Sequence, residues 1–392
     1  MKKLLSLLLV LSLAISLFAG CATEEVAEET TTETTEGTTE EATEEMADTV
    51  KLGMLTPTSG DLAQYGIAVQ NAAEMAVKEL NEAGGINGAT VELIVYDNEG
   101  DPTKSINLFN RLVDEDEIVA LVGPVISGTS LVVGPLADEA GIPMLSPTAT
   151  NTDVTVGLDY VFRACYIDPY QGRVVAKFAS ENLDAKTAVI FRNVSNDYSI
   201  GLADAFEGAF AGEIVADEGY TAEDNDFKAI IAKIADLNPD VIFIPDYFNT
   251  VGLIAKQLNE AGVDAVLLGG DGWDGIQGDY AAEVEGNFFA NHYSTTDEAE
   301  IVQNFIGSYE TTYGEVPNAL AALAYDATKV MAAAIADAGS TDGEAILASL
   351  KATDMDAVCG RIKFDDNGDT VKAIAIIKVQ DGALQLEAKI SE

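Results

Sequence analysis

A break between two apolar runs brings hydroxyl groups to the end of a predicted strand. The stretch "LVGPVISGTSLVVG" (121–134) is apolar up to Gly123, continues with small and hydroxyl residues that include Ser127 and Thr129, and then becomes apolar again. A strand followed by a helix that begins in this segment would direct unpaired N–H groups and hydroxyls at one place, which suits a carboxylate or a phosphate. Ordinary capping of the helix by Ser127 or Thr129 is the alternative interpretation.

Five further polar or aromatic breaks follow predicted strands along the chain. In open parallel sheets ligands bind at the carboxyl ends of the strands, where all these breaks lie. Each break taken alone is explained by ordinary turn chemistry, but together they combine hydroxyls, tyrosines, a tryptophan and a carboxylate. The sequence therefore predicts one pocket, to which these breaks contribute Tyr65, Thr148, Thr150, Tyr198, Tyr247, Asp271 and Trp273.

Catalytic and metal-binding signatures are missing from the sequence. It contains no G-x-S-x-G motif, no Walker loop and no G-x-G-x-x-G after the first predicted strand. The segment "FDDNGD" (364–369) partly matches a calcium loop but lacks the Gly and Glu that such a loop needs, and Asn367-Gly368 instead indicates a hairpin turn. His292, the only histidine, is interpreted as structural. We therefore expect no enzymatic activity, no cofactor and no metal.

The folded part of the chain is strongly acidic. The whole sequence has a formal net charge of −45, and the part after residue 48 retains −36 once two leader lysines and eleven acidic residues of 22–48 are removed. Nucleic-acid binding needs clustered Lys and Arg, so the charge argues against a nucleic-acid partner.

The N-terminus has the pattern of an export signal. Two lysines precede an apolar run and then Ala19-Gly20-Cys21, which resembles the lipobox of bacterial lipoproteins, although Phe18 stands where Leu is more usual. We expect a signal peptide at 1–20, a lipid on Cys21, and a disordered Thr/Glu-rich tether over 21–48, because that segment has too little apolar surface to fold.

The rest of the chain alternates between strand-like and helix-like segments. About 344 residues from Thr49 onward exceed what one core usually carries, which favours two domains. Strands that alternate with helices predict parallel βαβ units, and the rhythm restarts after "DYVFRACYID" (159–168). Helices late in the chain have no sheet of their own, so the chain should cross between two lobes and leave a cleft between them.

The order of these motifs resembles a known family. "KLGMLTPTSGDLAQYG", "ALVGPVISGTS", "PMLSPTATN", "FRACYIDPYQG", "NDYSIGLADAF" and "LLGGDGWDG" are similar to the type I periplasmic binding proteins of the leucine/isoleucine/valine-binding subgroup. The resemblance implies an α/β fold with two Rossmann-like lobes, a three-strand hinge and a ligand in the cleft. The implied lobes are 49–166 plus 294–372 (lobe 1) and 167–293 plus 373–392 (lobe 2).

The resemblance also assigns roles to the pocket residues. It implies that Ser127 and Thr150 bind the α-carboxylate of an amino acid and that Asp271 binds its α-ammonium, where the family usually has Glu. Thr148 would offer a backbone contact. The remaining pocket residues would surround the side chain of the ligand, and these are Tyr65, Val125, Ile126, Tyr198, Tyr247 and Trp273.

The implied function is ligand binding for membrane transport. The protein would be an exported, lipid-anchored and monomeric substrate-binding protein that delivers a small amino acid, branched-chain or aliphatic, to the permease of an ABC importer. A ligand of the amide or urea type and a role as a sensor are the alternatives. Cys165 and Cys359 are expected close to the hinge, where export allows a disulfide between them; two free thiols are the other interpretation.

Overall fold

The predicted alternation of strands and helices produces two separate sheets. The structure, a computed structural model, describes residues 48–391; the predicted signal peptide, Cys21 and nearly all of the predicted tether lie outside these residues. The first sheet has five parallel strands in the order β2-β1-β3-β4-β5. They are β1 (Thr49–Thr56), β2 (Thr90–Asp97), β3 (Ala120–Val122), β4 (Met144–Ser146) and β5 (Val161–Arg163).

The second sheet is larger and mixed. Its five parallel strands are β6 (Thr187–Asn193), β7 (Glu213–Tyr220), β8 (Val241–Phe243), β9 (Val266–Gly269) and β10 (Phe288–Asn291). Two antiparallel strands from the end of the chain extend it beside β10, and these are β13 (Ile374–Gln380) and β14 (Ala383–Ile390). The strand order is β14-β13-β10-β9-β8-β6-β7.

Helices cover both faces of the first sheet because its strands are apolar on both sides. In β3, Leu121 belongs to a cluster with Phe109 and Val133, whereas Ala120 and Val122 belong to the opposite cluster. The covering helices are α1 (Ala63–Glu82), α2 (Pro102–Asp114), α3 (Ser127–Ala140) and α9 (Ala319–Ala338), and α8 (Glu300–Tyr313) and α10 (Gly343–Lys351) pack on α1 and α9. We call this sheet with these helices lobe 1.

The second sheet is covered in the same way. In β6, Ile190 packs with Phe178 and Phe206 on one face, and Val189 packs with Ile231 on the other. The covering helices are α4 (Asp168–Glu181), α5 (Asp197–Ala209), α6 (Lys228–Leu237) and α7 (Phe248–Glu260). This sheet with its helices is lobe 2.

Three segments connect the lobes. They are 164–167, 292–295 and 370–373, and they place the late helices on lobe 1 and the last two strands on lobe 2. A short hairpin of β11 (Asp354–Met355) and β12 (Ile362–Lys363) precedes the third connection. Helix α9 has the length and composition of a membrane span, but 78% of its most apolar window is buried inside the fold.

The hairpin predicted around Asn367-Gly368 is only partly formed. A tight turn is present, since the Gly368 N–H donates to the Asp365 carbonyl oxygen at 3.1 Å, and Phe364 pairs with Thr370 in one isolated bridge. The chain then leaves for the second sheet, where β13 finds partners on both sides. Pairing within the large sheet therefore replaces the local hairpin.

Candidate ligand-binding site

The first wall of the site is the start of α3, directly after β3. The chain turns at Gly123, whose φ of 116° lies in the left-handed region and where a Cβ would come within 2.9 Å of the Leu55 carbonyl oxygen. Helix α3 begins at Ser127, and no side chain caps it. Capping by Ser127 or Thr129 is therefore wrong, and the positive end of the helix dipole lies beside Ser127.

Two threonines after β4 lie next to this helix end. The Thr148 hydroxyl donates to the Val125 carbonyl oxygen at 2.5 Å, so it is already used within the fold. The Thr150 hydroxyl is buried and has no hydrogen-bond partner among residues 48–391. The Asp168 carboxylate lies next to it. Because a buried hydroxyl without a regular hydrogen bond is costly, Thr150 is available to a ligand.

A fully buried arginine fixes the threonine loop. The guanidinium of Arg163, the last residue of β5, donates to the carbonyl oxygens of Ala149 and Asn151 at 2.9 and 2.7 Å, on either side of Thr150. Its charge is paired with Asp369 at 2.6 Å. The planar guanidinium can donate to several acceptors at once. Arg163 therefore connects the loop around Thr150 to the turn that contains Asp369.

The opposite wall is built around Asp271, which follows β9 in a short helical turn. Its Oδ1 accepts hydrogen bonds from Gln171 Nε2 at 2.9 Å and from the Tyr198 hydroxyl at 3.0 Å. Its Oδ2 lies 3.0 Å from His292 Nε2. Glycine at position 270 allows the Gln171 side chain to lie this close to Asp271, because a Cβ at position 270 would lie 2.1 Å from the Gln171 side-chain oxygen. The buried carboxylate is thus held by three donors.

Three tyrosines close the space between the walls. Tyr198 and Tyr247 are stacked with ring centroids 5.2 Å apart, and Tyr65 meets Tyr247 edge-on at 6.0 Å. The Tyr65 hydroxyl, from lobe 1, donates to the Gly272 carbonyl oxygen and accepts from the Phe248 N–H at 3.3 Å, both in lobe 2. Burial raises the pKa of all three phenols, so they present neutral rings to the site.

A small cavity of about 20 Å³ lies between the two walls. Nine of the ten residues that the sequence predicts for ligand binding line it, and it is therefore one assembled site rather than a set of separate loops. The nine are Tyr65, Val125, Ile126, Ser127, Thr148, Thr150, Tyr198, Tyr247 and Asp271, with Gly272 and Leu320 completing the lining.

Trp273 is the predicted residue that does not line the cavity. Its indole is fully buried, and Nε1 donates to the Ile244 carbonyl oxygen at 2.8 Å. A Cβ at Gly269 would lie 2.1 Å from the indole ring, so the tryptophan packs directly against β9. It supports the turn that carries Asp271 from behind, and the predicted contact with the ligand is wrong for this structure.

A second carboxylate lies close to the site. Asp168, at the start of α4, is 1% exposed, and neither of its side-chain oxygens has a hydrogen-bond partner among the described residues. Burial, and then the negative charge of Asp271, raise its pKa well above the usual range, whereas contact with the Thr150 hydroxyl lowers it. The protonated form of Asp168 is thereby favoured in the absence of a nearby cation.

Sequence reasoning missed four supporting residues and two lining residues, Gly272 and Leu320. Arg163, Asp168 and Gln171 lie in the stretch "FRACYIDPYQG". This stretch contributes to the family resemblance, but the resemblance assigns no role to these three side chains. Leu320 is an apolar residue in an apolar helix, a pattern that does not separate a cavity wall from a core position. His292 had no partner in the sequence because Asp271 lies 21 residues away.

The two cysteines of the folded part are free thiols, so the disulfide considered between them is not formed. Both are buried. The Cys165 thiol donates to the Ala149 carbonyl oxygen at 3.4 Å, whereas the Cys359 thiol contacts the Asp326 carboxylate. Burial raises the pKa of both thiols, which keeps them protonated. Each sulfur therefore has its own partner in the fold.

The sequence and the fold are similar to those of known ligand-binding proteins. The profile of a family described as "Periplasmic binding protein" matches residues 49–383. The Leu/Ile/Val-binding protein BraC3 of Rhizobium johnstonii is 33% identical over 347 residues, which are 86% of this chain and 93% of that protein.

Two solved structures have the same fold. One is the branched-chain amino acid transporter substrate binding protein LivJ from Streptococcus pneumoniae in complex with isoleucine, with 34% identity, a TM-score of 0.84 and coverage of 88% of this chain and 100% of that one. The other is the leucine binding protein LivK from Thermotoga maritima, with 34% identity, a TM-score of 0.83 and coverage of 87% and 99%. The predicted two-lobed α/β fold is thereby confirmed.

Proposed function

The chain belongs to the periplasmic binding protein family, and we propose that it is the exported substrate-binding protein of an ABC importer for an amino acid. Branched-chain and other aliphatic amino acids are the proposed ligand class. The names of the relatives, which refer to leucine, isoleucine and valine, support this class. We propose no enzymatic activity for it.

One observation carries the proposal: a carboxylate and an uncapped helix end face the same small cavity. The start of α3 with the Ser127 and Thr150 hydroxyls suits the α-carboxylate of an amino acid. Asp271, on the other side, suits the α-ammonium. The apolar side chain of the ligand would lie against Val125, Ile126, Leu320 and the tyrosines, which line the rest of the cavity.

This division of the site between lobes gives a mechanism for closure. A zwitterion bound through its carboxylate to lobe 1 and through its ammonium to lobe 2 makes all its contacts only when the lobes are closed. Such a ligand shifts the hinge equilibrium toward the closed state. Bonds between the lobes, such as those of the Tyr65 hydroxyl, add to this preference.

The remaining parts of the proposal concern location and organisation. We propose cleavage of the signal peptide 1–20, a lipid anchor on Cys21, a tether over 21–48, and delivery of the ligand by the monomer to the permease subunits. The proposed lobes are 49–166 plus 294–372 and 167–293 plus 373–392. The three connections between the sheets support this division.

Thermal unfolding in the presence of candidate ligands tests the function. A ligand that binds only the native state raises the midpoint of unfolding. We expect leucine, isoleucine or valine to raise the midpoint of the purified protein, and acetamide, urea and benzoate to leave it unchanged. A shift with amides or urea alone would support the alternative ligand class, and no shift with any amino acid would contradict the proposal.

A sensor role for the same fold is separated by a transport assay. Deletion of the gene should abolish uptake of the amino acid that gives the largest shift. Unchanged uptake, with binding intact, would favour a sensor.

A further inference from the structure

We propose that His292 is a positioning residue of the ligand site, which holds Asp271 so that one of its oxygens stays open to the ligand ammonium. This inference rests on the proposed function. It extends that function to the chain's only histidine, which lies behind the cavity and is not among the lining residues.

The hydrogen bonds of Asp271 leave little freedom to its carboxylate. A carboxylate offers about four acceptor positions, two on each oxygen. Oδ1 holds two donors, Gln171 and Tyr198, whereas Oδ2 holds His292 alone. The free position is therefore on Oδ2, and the bond from His292 determines where it points.

The surroundings of His292 favour a neutral imidazole over an imidazolium. Nε2 carries the proton, because the carboxylate of Asp271 can only accept. Nδ1 is buried without a hydrogen-bond partner among residues 48–391, so a second proton there would create a buried donor without an acceptor. Burial lowers the pKa of His292, and this outweighs the opposite effect of Asp271.

Groups from three elements face the imidazole. The Tyr166 ring, from the first connection, stacks on it with centroids 3.8 Å apart. The Asp271 carboxylate, in the turn after β9, accepts the hydrogen bond from Nε2. The positive charge of Lys372, in the third connection, disfavours an imidazolium. A neutral donor leaves the whole negative charge of Asp271 to the ligand, which an imidazolium would partly cancel.

Two substitutions separate the hydrogen bond from the packing. His292→Phe keeps an aromatic ring against Tyr166 but removes the donor. His292→Gln removes the ring but keeps an amide N–H of similar reach. Isothermal titration with L-leucine, L-isoleucine and L-valine compares both variants with the wild type, and thermal unfolding confirms that each variant is folded.

We expect His292→Phe to weaken binding about tenfold, the effect of one lost hydrogen bond to a charged group, and His292→Gln to stay within about threefold of the wild type. Nitrogen NMR of the single histidine gives an independent result, which should be a neutral Nε2–H ring whose signals shift on ligand addition.

Three outcomes distinguish the inference from the function on which it rests. If the wild type binds and the folded Phe variant binds equally well, the inference fails and the proposed function stands. Equal losses in both variants, or an imidazolium at neutral pH, also overturn the inference. If the wild type binds none of the amino acids, the proposed function fails and the role of His292 fails with it.

Discussion

The two walls of the cavity differ in how they are supported, although both lie at the carboxyl ends of parallel strands. The wall in lobe 1 is uncharged, consisting of a helix end and hydroxyls, and the Thr150 hydroxyl has no partner among the described residues. The wall in lobe 2 carries Asp271, which is already bonded to Gln171, Tyr198 and His292.

This difference follows from the cost of burying a charge. A hydroxyl without a partner costs a moderate amount of free energy, but an ionised carboxylate without donors costs far more. The carboxylate of the charged wall therefore needs hydrogen-bond donors from the protein before the ligand binds. A hydroxyl of the uncharged wall can remain without a partner until the ligand binds.

The charged wall should be the more sensitive of the two. We expect Asp271→Asn to weaken binding of an aliphatic amino acid by about 2–5 kcal/mol, the range for truncating one partner of a buried charge pair. The substitution changes charge at nearly constant shape, and titration calorimetry measures the loss. Equal binding by the Asn variant would mean that no ammonium lies at this position, and the comparison between the walls would be wrong.

The uncharged wall should respond less strongly. We expect Ser127→Ala to weaken binding by about 1.5–3 kcal/mol, the contribution of one hydrogen bond to a charged group. Ser130→Ala is the matched control, because that hydroxyl, one helical turn further along, donates to the Pro124 carbonyl oxygen and does not line the cavity. The control should retain wild-type affinity in the same titration, and a similar loss in both variants would assign the effect to helix α3 as a whole.

The charged wall should also exchange a proton with solvent when the ligand binds. Burial and the charge of Asp271 raise the pKa of Asp168, which favours the protonated carboxyl in the empty site. A ligand ammonium favours its ionised form, and binding therefore releases up to one proton and strengthens as pH rises. Calorimetry in two buffers with different heats of ionisation measures the release, which Asp168→Asn should abolish. Heats independent of the buffer would contradict this.

The smallest effect is expected outside both walls. A chain that begins at Thr49 should bind as tightly as the mature protein, because the residues that line the cavity within the described range 48–391 lie after this position. Parallel titrations of the two chains test this expectation. A clear loss of affinity in the shorter chain would show that residues 21–48 contribute to the site.

The lining of the cavity was more predictable than its support. Tyr65, Ser127 and Asp271 lie in the segments that follow predicted strands, so the rule for open parallel sheets locates them without knowledge of packing. The two-layer fold was predictable for the same reason, since strands that alternate with helices have few ways to pack.

The support was not predictable because it depends on contacts distant in sequence. Gln171 lies 100 residues from Asp271, and Arg163 lies 206 residues from Asp369. Trp273 was predicted to line the cavity because it lies two residues after Asp271. Its large indole is instead packed in the core. Sequence position locates a loop, but the direction of each side chain is decided by packing.

The burial of Trp273 has a consequence for spectroscopy. It is the only tryptophan of the chain, it is shielded from water, and it lies directly after Asp271 and Gly272, which line the cavity. The protein therefore carries one intrinsic fluorophore next to its ligand site, with tyrosines nearby that can pass excitation energy to it. Its emission should be that of an indole in an apolar environment, and a change in that emission can report occupancy of the cavity in real time without any added label.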